Sequence, residues 1–261
     1  MKKSIISLLL ILFGLSSLSL QAQKEVTVRL NPKTGVTHNA IIKNTMMNLM
    51  DFQGQSMTMT QSMETKCSFS AKSVSDKEIT IEGQNDALKV NISQMGMVLT
   101  YDSEHPEKTS PLIADQADEL GSALNKPYTM SFDALGRLMS TEEEPEMSQL
   151  GSIIIQLPEE PLKVGSTWTT NKRQSISGTD ITASMTYTVT KISRKSVEIN
   201  VKGSIEGGEE ASGTFDGTAS IDPETGMITK SSIKQNISMT ISEQGLSIPV
   251  TINGTTTVTV E

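Results

Sequence analysis

The sequence predicts a mainly β protein in which long antiparallel hairpins form a half-open barrel or a sandwich with two short helices. Three observations lead to this prediction. Apolar and polar residues alternate with period two along most of the chain, turn sequences separate the alternating segments, and only two segments carry a helical apolar stripe. Because two helices cannot cover so many apolar strand faces, we expect these faces to turn toward one another.

Each alternating segment places apolar residues on one face and threonine or serine on the other, which is typical of antiparallel strands with one solvated face. The segments are Val26–Leu30, Ile79–Ile81, Leu88–Ile92, Met97–Tyr101, Ile181–Val189, Val197–Val201, Phe215–Ile221, Ile237–Ile241, Leu246–Ile252 and Thr256–Val260. The turns Asn31–Gly35, Asp133–Gly136 and Asp222–Gly226 begin with a side chain that can cap a turn and end with glycine.

The two helical segments lie in the middle of the chain. Ser110 and Pro111 predict an N-cap and a first helical residue. The apolar stripe of this helix consists of Ile113, Ala117, Leu120 and Leu124. A second helix is predicted over residues 144–157, with an acidic start that suits the helix dipole. Its apolar stripe consists of Met147, Leu150, Ile154 and Leu157.

Residues 31–67 align with residues 222–258 without a gap, at an offset of 191 residues. Pro32 aligns with Pro223 and Gly35 with Gly226, and ten positions are identical. The match predicts two equivalent hairpins and favours an internal duplication, with similar hairpin requirements as the alternative.

The chain divides into an export signal and two halves. Lys2 and Lys3 precede an apolar run that ends near Ala22, which predicts a signal peptide over residues 1–22 and export to the periplasm or the exterior. We expect no transmembrane segment after it. The proline-rich connector that begins at Leu157 separates a β-rich half with covering helices, residues 23–156, from an antiparallel β half, residues 157–261.

Composition excludes several classes of function. The net charge of −8, from 22 basic and 30 acidic residues, argues against a nucleic-acid partner. The single cysteine, Cys67, leaves no intramolecular disulfide, and His38 and His105 occur in no catalytic or metal-binding motif. We therefore expect no enzymatic activity, no cofactor and no metal site.

Methionine is unusually frequent, with 15 in the chain, six of them between Met46 and Met63. Flexible thioethers suit an adaptable apolar core or pocket. Soft thioether pairs such as Met57 with Met59 could instead bind Cu(I), and the sequence leaves this alternative open.

Three parts of the sequence resemble a family of exported proteins of unknown function that is common in Bacteroidota. They are residues 114–139, the connector from Leu157 to Trp168, and the Asp222–Met227 turn. The resemblance implies export and β architecture, and no mechanism. The long hairpins are also similar, as an analogy of fold, to the half-open barrels of LolA-type lipoprotein carriers.

These observations predict a non-enzymatic envelope protein that binds a lipid or other apolar small molecule between its sheets. The predicted lining residues are apolar side chains of strands and helices: Met57, Met59, Met97, Leu99, Ile113, Leu120 and Ile154. The alternative is an envelope interaction or scaffolding module with a filled core and no small ligand. The sequence identifies no protein partner.

Overall fold

A computed structural model describes residues 25–52, 54–141, 149–176, 179–208, 211–243 and 246–261. Its twelve strands form one antiparallel sheet. The strands are β1 Thr37–Phe52, β2 Gln55–Val74, β3 Ile79–Gln94, β4 Met97–Asp102, β5 Tyr128–Phe132, β6 Leu138–Thr141, β7 Thr167–Ile176, β8 Thr179–Ile192, β9 Val197–Gly207, β10 Ala211–Ile221, β11 Ile228–Glu243 and β12 Leu246–Val260. The strand order is β6-β5-β3-β2-β1-β12-β11-β10-β9-β8-β7, with β4 paired to β3.

The two halves of the chain meet in the middle of this sheet. Residues 25–156 supply β1–β6, residues 157–261 supply β7–β12, and β1 pairs with β12. The repeated segments are the two central hairpins, because β11 and β12 begin 191 residues after β1 and β2, at Ile228 and Leu246 against Thr37 and Gln55. The equivalent glycines Gly35 and Gly226 both have positive φ, of 74° and 71°.

The sheet is strongly curved. Nine inter-strand spacings separate β5 from β7, which would place them about 43 Å apart in a flat sheet. Yet the Tyr128 hydroxyl of β5 accepts a hydrogen bond from the Gln149 backbone N–H, and the Trp168 indole of β7 donates to the Gln156 carbonyl. Seven residues span at most about 25 Å, so the sheet must curl around this connecting segment. Since the described residues of β6 and β7 do not pair with each other, the result is the predicted half-open barrel.

The concave face is filled at one end by two segments, which we call the plug: Val26–Leu30 and Leu150–Leu162. We call the end of the barrel that contains the plug, where β1 begins and β12 ends, the plugged end. Val28 and Leu30 are each 1% exposed, and Val26 pairs with Leu162 through two backbone hydrogen bonds. The predicted strand at Val26–Leu30 is therefore wrong as part of the sheet. The segment is extended and alternates as expected, but its buried side chains pack inside the barrel.

Both helices are shorter than predicted. Helix α1 spans Ala114–Ser122 and follows a 3₁₀ turn at Pro111–Ile113. The Ser110 hydroxyl accepts the backbone N–H of Thr100 instead of capping the helix. Helix α2 spans Leu150–Ile153 and ends where Ile154 becomes extended, in a run of β-branched residues ahead of Pro158 that disfavours helix. Residues 144–148 and the predicted signal peptide lie outside the described residues.

Candidate functional site

An apolar cavity of about 180 Å³ lies at the plugged end, between α2 and the concave face of β8–β12. Its lining is mainly aliphatic and aromatic, and it consists of Gly151, Ser152, Ile155, Met185, Tyr187, Ile199, Val201, Ala219, Ile228, Ser231, Ile233, Thr256 and Val258. Six elements contribute to it, since every second residue of each adjacent strand faces inward. The cavity therefore lies where the plug fails to fill the curve of the sheet.

Beyond this cavity, the concave face continues toward the hairpin ends of β1–β2 and β11–β12 as a surface that we call the open trough. The strand register places the following apolar residues on this face: Met46, Met50, Met57, Met59, Ile205, Phe215, Ile237, Met239, Val250 and Ile252. Most are half-buried, whereas their neighbours on the convex face, such as Thr58 and Thr60, are exposed. In the described part of the chain, the cluster at its rim around Ile205 and Phe215 contains strand residues alone.

Helix α1 covers one wall of the trough. Ile113 and Leu120 pack with Ala117 and Leu124 against Val90 and Tyr101 of β3 and β4. Gly121 allows close approach, because a Cβ there would lie 3.3 Å from the Tyr101 hydroxyl. This wall is a filled interface between helix and sheet.

The predicted lining residues fall into three environments. Met57 and Met59 face the open trough, with Met57 directly opposite Met50 and Met59 opposite Asn48. Leu99 and Met97 occupy the same face of β4, but Met97 is 58% exposed. Ile113 and Leu120 lie beneath α1, and Ile154 is 6% exposed in the main core. The structure thus brings Met57 and Met59 together in the trough and places Ile154 far inside the plug.

The cavity residues of β8–β12 were missed in the sequence. Their alternation predicted inward faces, as at Tyr187 and Val201, but it could not show which inward residues the plug leaves uncovered. That depends on where residues 150–162 return across the barrel.

Polar oxygens interrupt the apolar face along β1 and β2. Asn44 Oδ1, Asn48 Oδ1 and Thr65 Oγ1 are buried and have no hydrogen-bond partner among the described residues. Thr65 is 0% exposed. A buried acceptor without a partner is costly, so these oxygens lower the stability of the sheet at this place.

Titratable chemistry is sparse around the site. Burial raises the pKa of Tyr187, against a smaller opposing effect of its hydrogen bond with Thr170. Burial, together with the nearby Asp86 carboxylate, raises the pKa of Cys67 to about 12. Both groups are therefore neutral near pH 7. Within the described ranges, no three His, Cys, Asp or Glu side chains lie close enough to hold a metal ion together.

A larger depression of about 470 Å³ lies on the opposite, convex face. Its lining is mostly threonine, asparagine, glutamine and charged residues, together with Met46 and Met47. Asp216 is directly opposite Lys234 in the register, and Asn236 donates to Asn253. We interpret it as a hydrated outer surface of the twisted sheet.

A part of the chain, mostly in its second half, is similar to a known protein family. Residues 142–242 match the model of a family of unknown function, DUF6263. The match runs from before α2 to the end of β11 and confirms the resemblance to such a family. No curated protein matches the sequence. None of the described helices has the length and apolar character needed to span a bilayer.

Among solved structures, the chain is similar to one that describes lipid–protein interactions in lipovitellin, with a TM-score of 0.53 and 10% identity. The alignment covers 88% of this chain and 25% of the lipovitellin chain, so the chain spans about a quarter of that protein's length. At this identity the likeness concerns the fold. The autotransporter translocator domain of NalP from Neisseria meningitidis is 7% identical over 87% of this chain and 90% of its own, with a TM-score of 0.23. An outer membrane channel from Pseudomonas putida F1 is 8% identical over 88% and 97%, with a TM-score of 0.26. At these TM-scores, neither likeness shows a shared fold.

Proposed function

We propose that this protein is exported and binds a lipid or another apolar ligand on the concave face of its sheet, without catalysing a reaction. The observation that carries the proposal is that the apolar cavity and the apolar trough adjoin on one face of the sheet. The cavity under α2 and the open trough share the inward faces of β9–β12. An uncovered apolar surface of this extent is typical of a binding site.

The composition of the trough supports a ligand with a flexible chain. Met46, Met50, Met57 and Met59 line one side of it, and unbranched thioether side chains adapt to a ligand of variable shape. Lipovitellin, which shares the fold, is a protein whose structure was described with its lipid interactions. The fold is therefore compatible with lipid binding, and the methionine side chains of the trough are the reason to expect it in this chain.

The direct experiment is native mass spectrometry of residues 23–261, the predicted exported form, purified without detergent. We expect either a co-purified lipid released by solvent extraction, or a mass increase after incubation with oleic acid or dioleoylphosphatidylcholine. An apo mass that neither probe changes would contradict the proposal and favour the interaction module without a small ligand.

Two pairs of variants localise the ligand. Ala219→Phe fills the cavity from β10, and Thr218→Phe places the same side chain on the exposed convex face next to it. Met59→Glu places a charge in the trough, and Thr60→Glu places it on the opposite face. We expect Ala219→Phe and Met59→Glu to lower probe occupancy while their controls retain it. Thermal melts by circular dichroism establish that each variant is folded.

A further inference from the structure

The turn between β3 and β4 carries the most exposed large apolar side chain of the described residues, Met95, and two more exposed apolar side chains follow it. Met95 is 80% exposed, Met97 58% and Val98 62%, and we call these three residues the apolar tip. Leu112, 76% exposed, follows Ser110, whose backbone N–H donates to the Thr100 carbonyl of β4. The neighbouring segment therefore adds a fourth apolar side chain near β4.

Neither the backbone nor the solvent favours methionine at this turn. Met95 has a φ of 51° and Gly96 a φ of 80°, the succession of positive values expected of a type I′ hairpin turn. Asn, Asp and Gly adopt this conformation readily, whereas other side chains are rare in it. A side chain that both the backbone conformation and the exposure to water disfavour is expected where function requires it.

Within the β3–β4 hairpin, no charged side chain has to leave water together with the tip. No charged residue occurs between Val90 and Tyr101. The flanking charges, Lys89 and Asp102, pair with each other at 3.2 Å. Three side chains form too small a surface for a standard protein–protein interface, but they suffice for shallow insertion among neutral lipids.

The register places the tip at the mouth of the open trough. Gln94 pairs with Met59 on one side and with Met97 on the other, so Met97 continues the row that crosses the trough. We propose that the apolar tip inserts into a lipid bilayer and docks the mouth of the trough against it. The purpose of this docking rests on the proposed function, since a lipid could then pass between bilayer and trough.

Co-flotation of residues 23–261 with dioleoylphosphatidylcholine vesicles tests the docking. We expect Met95→Asn to weaken vesicle binding by about tenfold, because one buried methionine is replaced by a polar side chain. The triple variant Met95→Asn, Met97→Ser and Val98→Ser abolishes it. Met139→Asn is the matched control, since Met139 is 57% exposed in β6, away from the tip, and it keeps wild-type binding.

A second readout separates docking from folding. Asparagine suits the positive φ at position 95, so Met95→Asn keeps or raises the midpoint of thermal unfolding while vesicle binding falls. Brominated phosphatidylcholine should quench the added fluorescence of Met95→Trp and leave that of Met139→Trp unchanged.

Each result supports or overturns the docking. Wild-type protein that does not float with vesicles, or a control that loses as much binding as Met95→Asn, overturns it. Docking without any ligand in native mass spectrometry supports the tip and contradicts the proposed function. Ligand binding in native mass spectrometry without binding to vesicles supports the proposed function and contradicts the docking by the apolar tip.

Discussion

Alanine at Gly226 should destabilise the protein far more than alanine at Gly35, although the two glycines occupy equivalent positions of the repeat. Their φ angles are 71° and 74°, so the backbone penalty for alanine is shared, about 1–2 kcal/mol at each. A Cβ on Gly35 meets no atom within 4 Å. A Cβ on Gly226 would overlap the Arg29 carbonyl and lie 2.8 Å from the Leu30 backbone nitrogen, in the plug.

The second cost is the displacement of the plug. Overpacking of this kind costs about 1–3 kcal/mol. The backbone hydrogen bond from Asn31 to the Thr225 carbonyl, 2.9 Å long, adds about 1 kcal/mol if it breaks. We therefore expect the free energy of unfolding to fall by about 1–2 kcal/mol in Gly35→Ala and by about 3–6 kcal/mol in Gly226→Ala.

Urea unfolding at pH 7 measures both values. Trp168 fluorescence is a suitable probe, because its indole stacks on Tyr187 at 5.1 Å and donates to the plug at Gln156. Equal losses of stability in the two variants would refute the reasoning, since they would mean that the plug does not press on Gly226.

Three further predictions concern single side chains. The Asp133 carboxylate accepts the backbone N–H groups of Leu135 and Arg137 and the Arg137 side chain. Burial raises its pKa, but these donors outweigh burial and hold the pKa below the ordinary 3.8. The carboxylate therefore stabilises the folded state above pH 3.8, and this stabilisation disappears as the pH falls through the lower pKa that Asp133 has in the folded protein. In urea melts, Asp133→Asn should lower the free energy of unfolding by about 1–2 kcal/mol at pH 7 and by much less at pH 2. An equal loss at both pH values would contradict it. Cys67 is 3% exposed with a pKa of about 12, so a thiol reagent at pH 8 should label it only after urea is added; rapid labelling of the folded protein would show the burial to be wrong. Asn48→Leu replaces a buried acceptor that has no partner among the described residues, so the free energy of unfolding in urea melts should rise by about 1 kcal/mol; a fall of that size would show that the acceptor is paired.

Much of the fold followed from local chemistry. Period-two alternation located the strands from Ile181 to Val260, and each predicted turn has its glycine at positive φ, as at Gly136 and Gly226. The Asp133 carboxylate bonds its own turn as such a sequence predicts. These features depend on neighbouring residues, which a sequence displays directly.

What the sequence could not show depends on distant residues. Alternation at Val26–Leu30 is the same whether the segment joins a sheet edge or enters a barrel. The segment enters the barrel because Val26 pairs with Leu162 of the plug. For the candidate site, the spacing of Met57 and Met59 predicted that they share one strand face, as the register shows. Ile154, in contrast, lies in the core because Leu150–Ile153 turns inward. The order of strands, with β1 beside β12, is set by long-range packing.

The seam between β1 and β12 also has a consequence for how the molecule forms. Ala40 pairs with Val260, 220 positions later, so the middle of the sheet joins the most distant parts of the chain. Contacts of such long sequence separation slow folding, because a large loop must close before they stabilise anything. Each half can form hairpins early, but the interior face is assembled only when the seam closes. A polypeptide that delays its own completion in this way keeps its apolar strand faces exposed for longer, and with them the risk of aggregation.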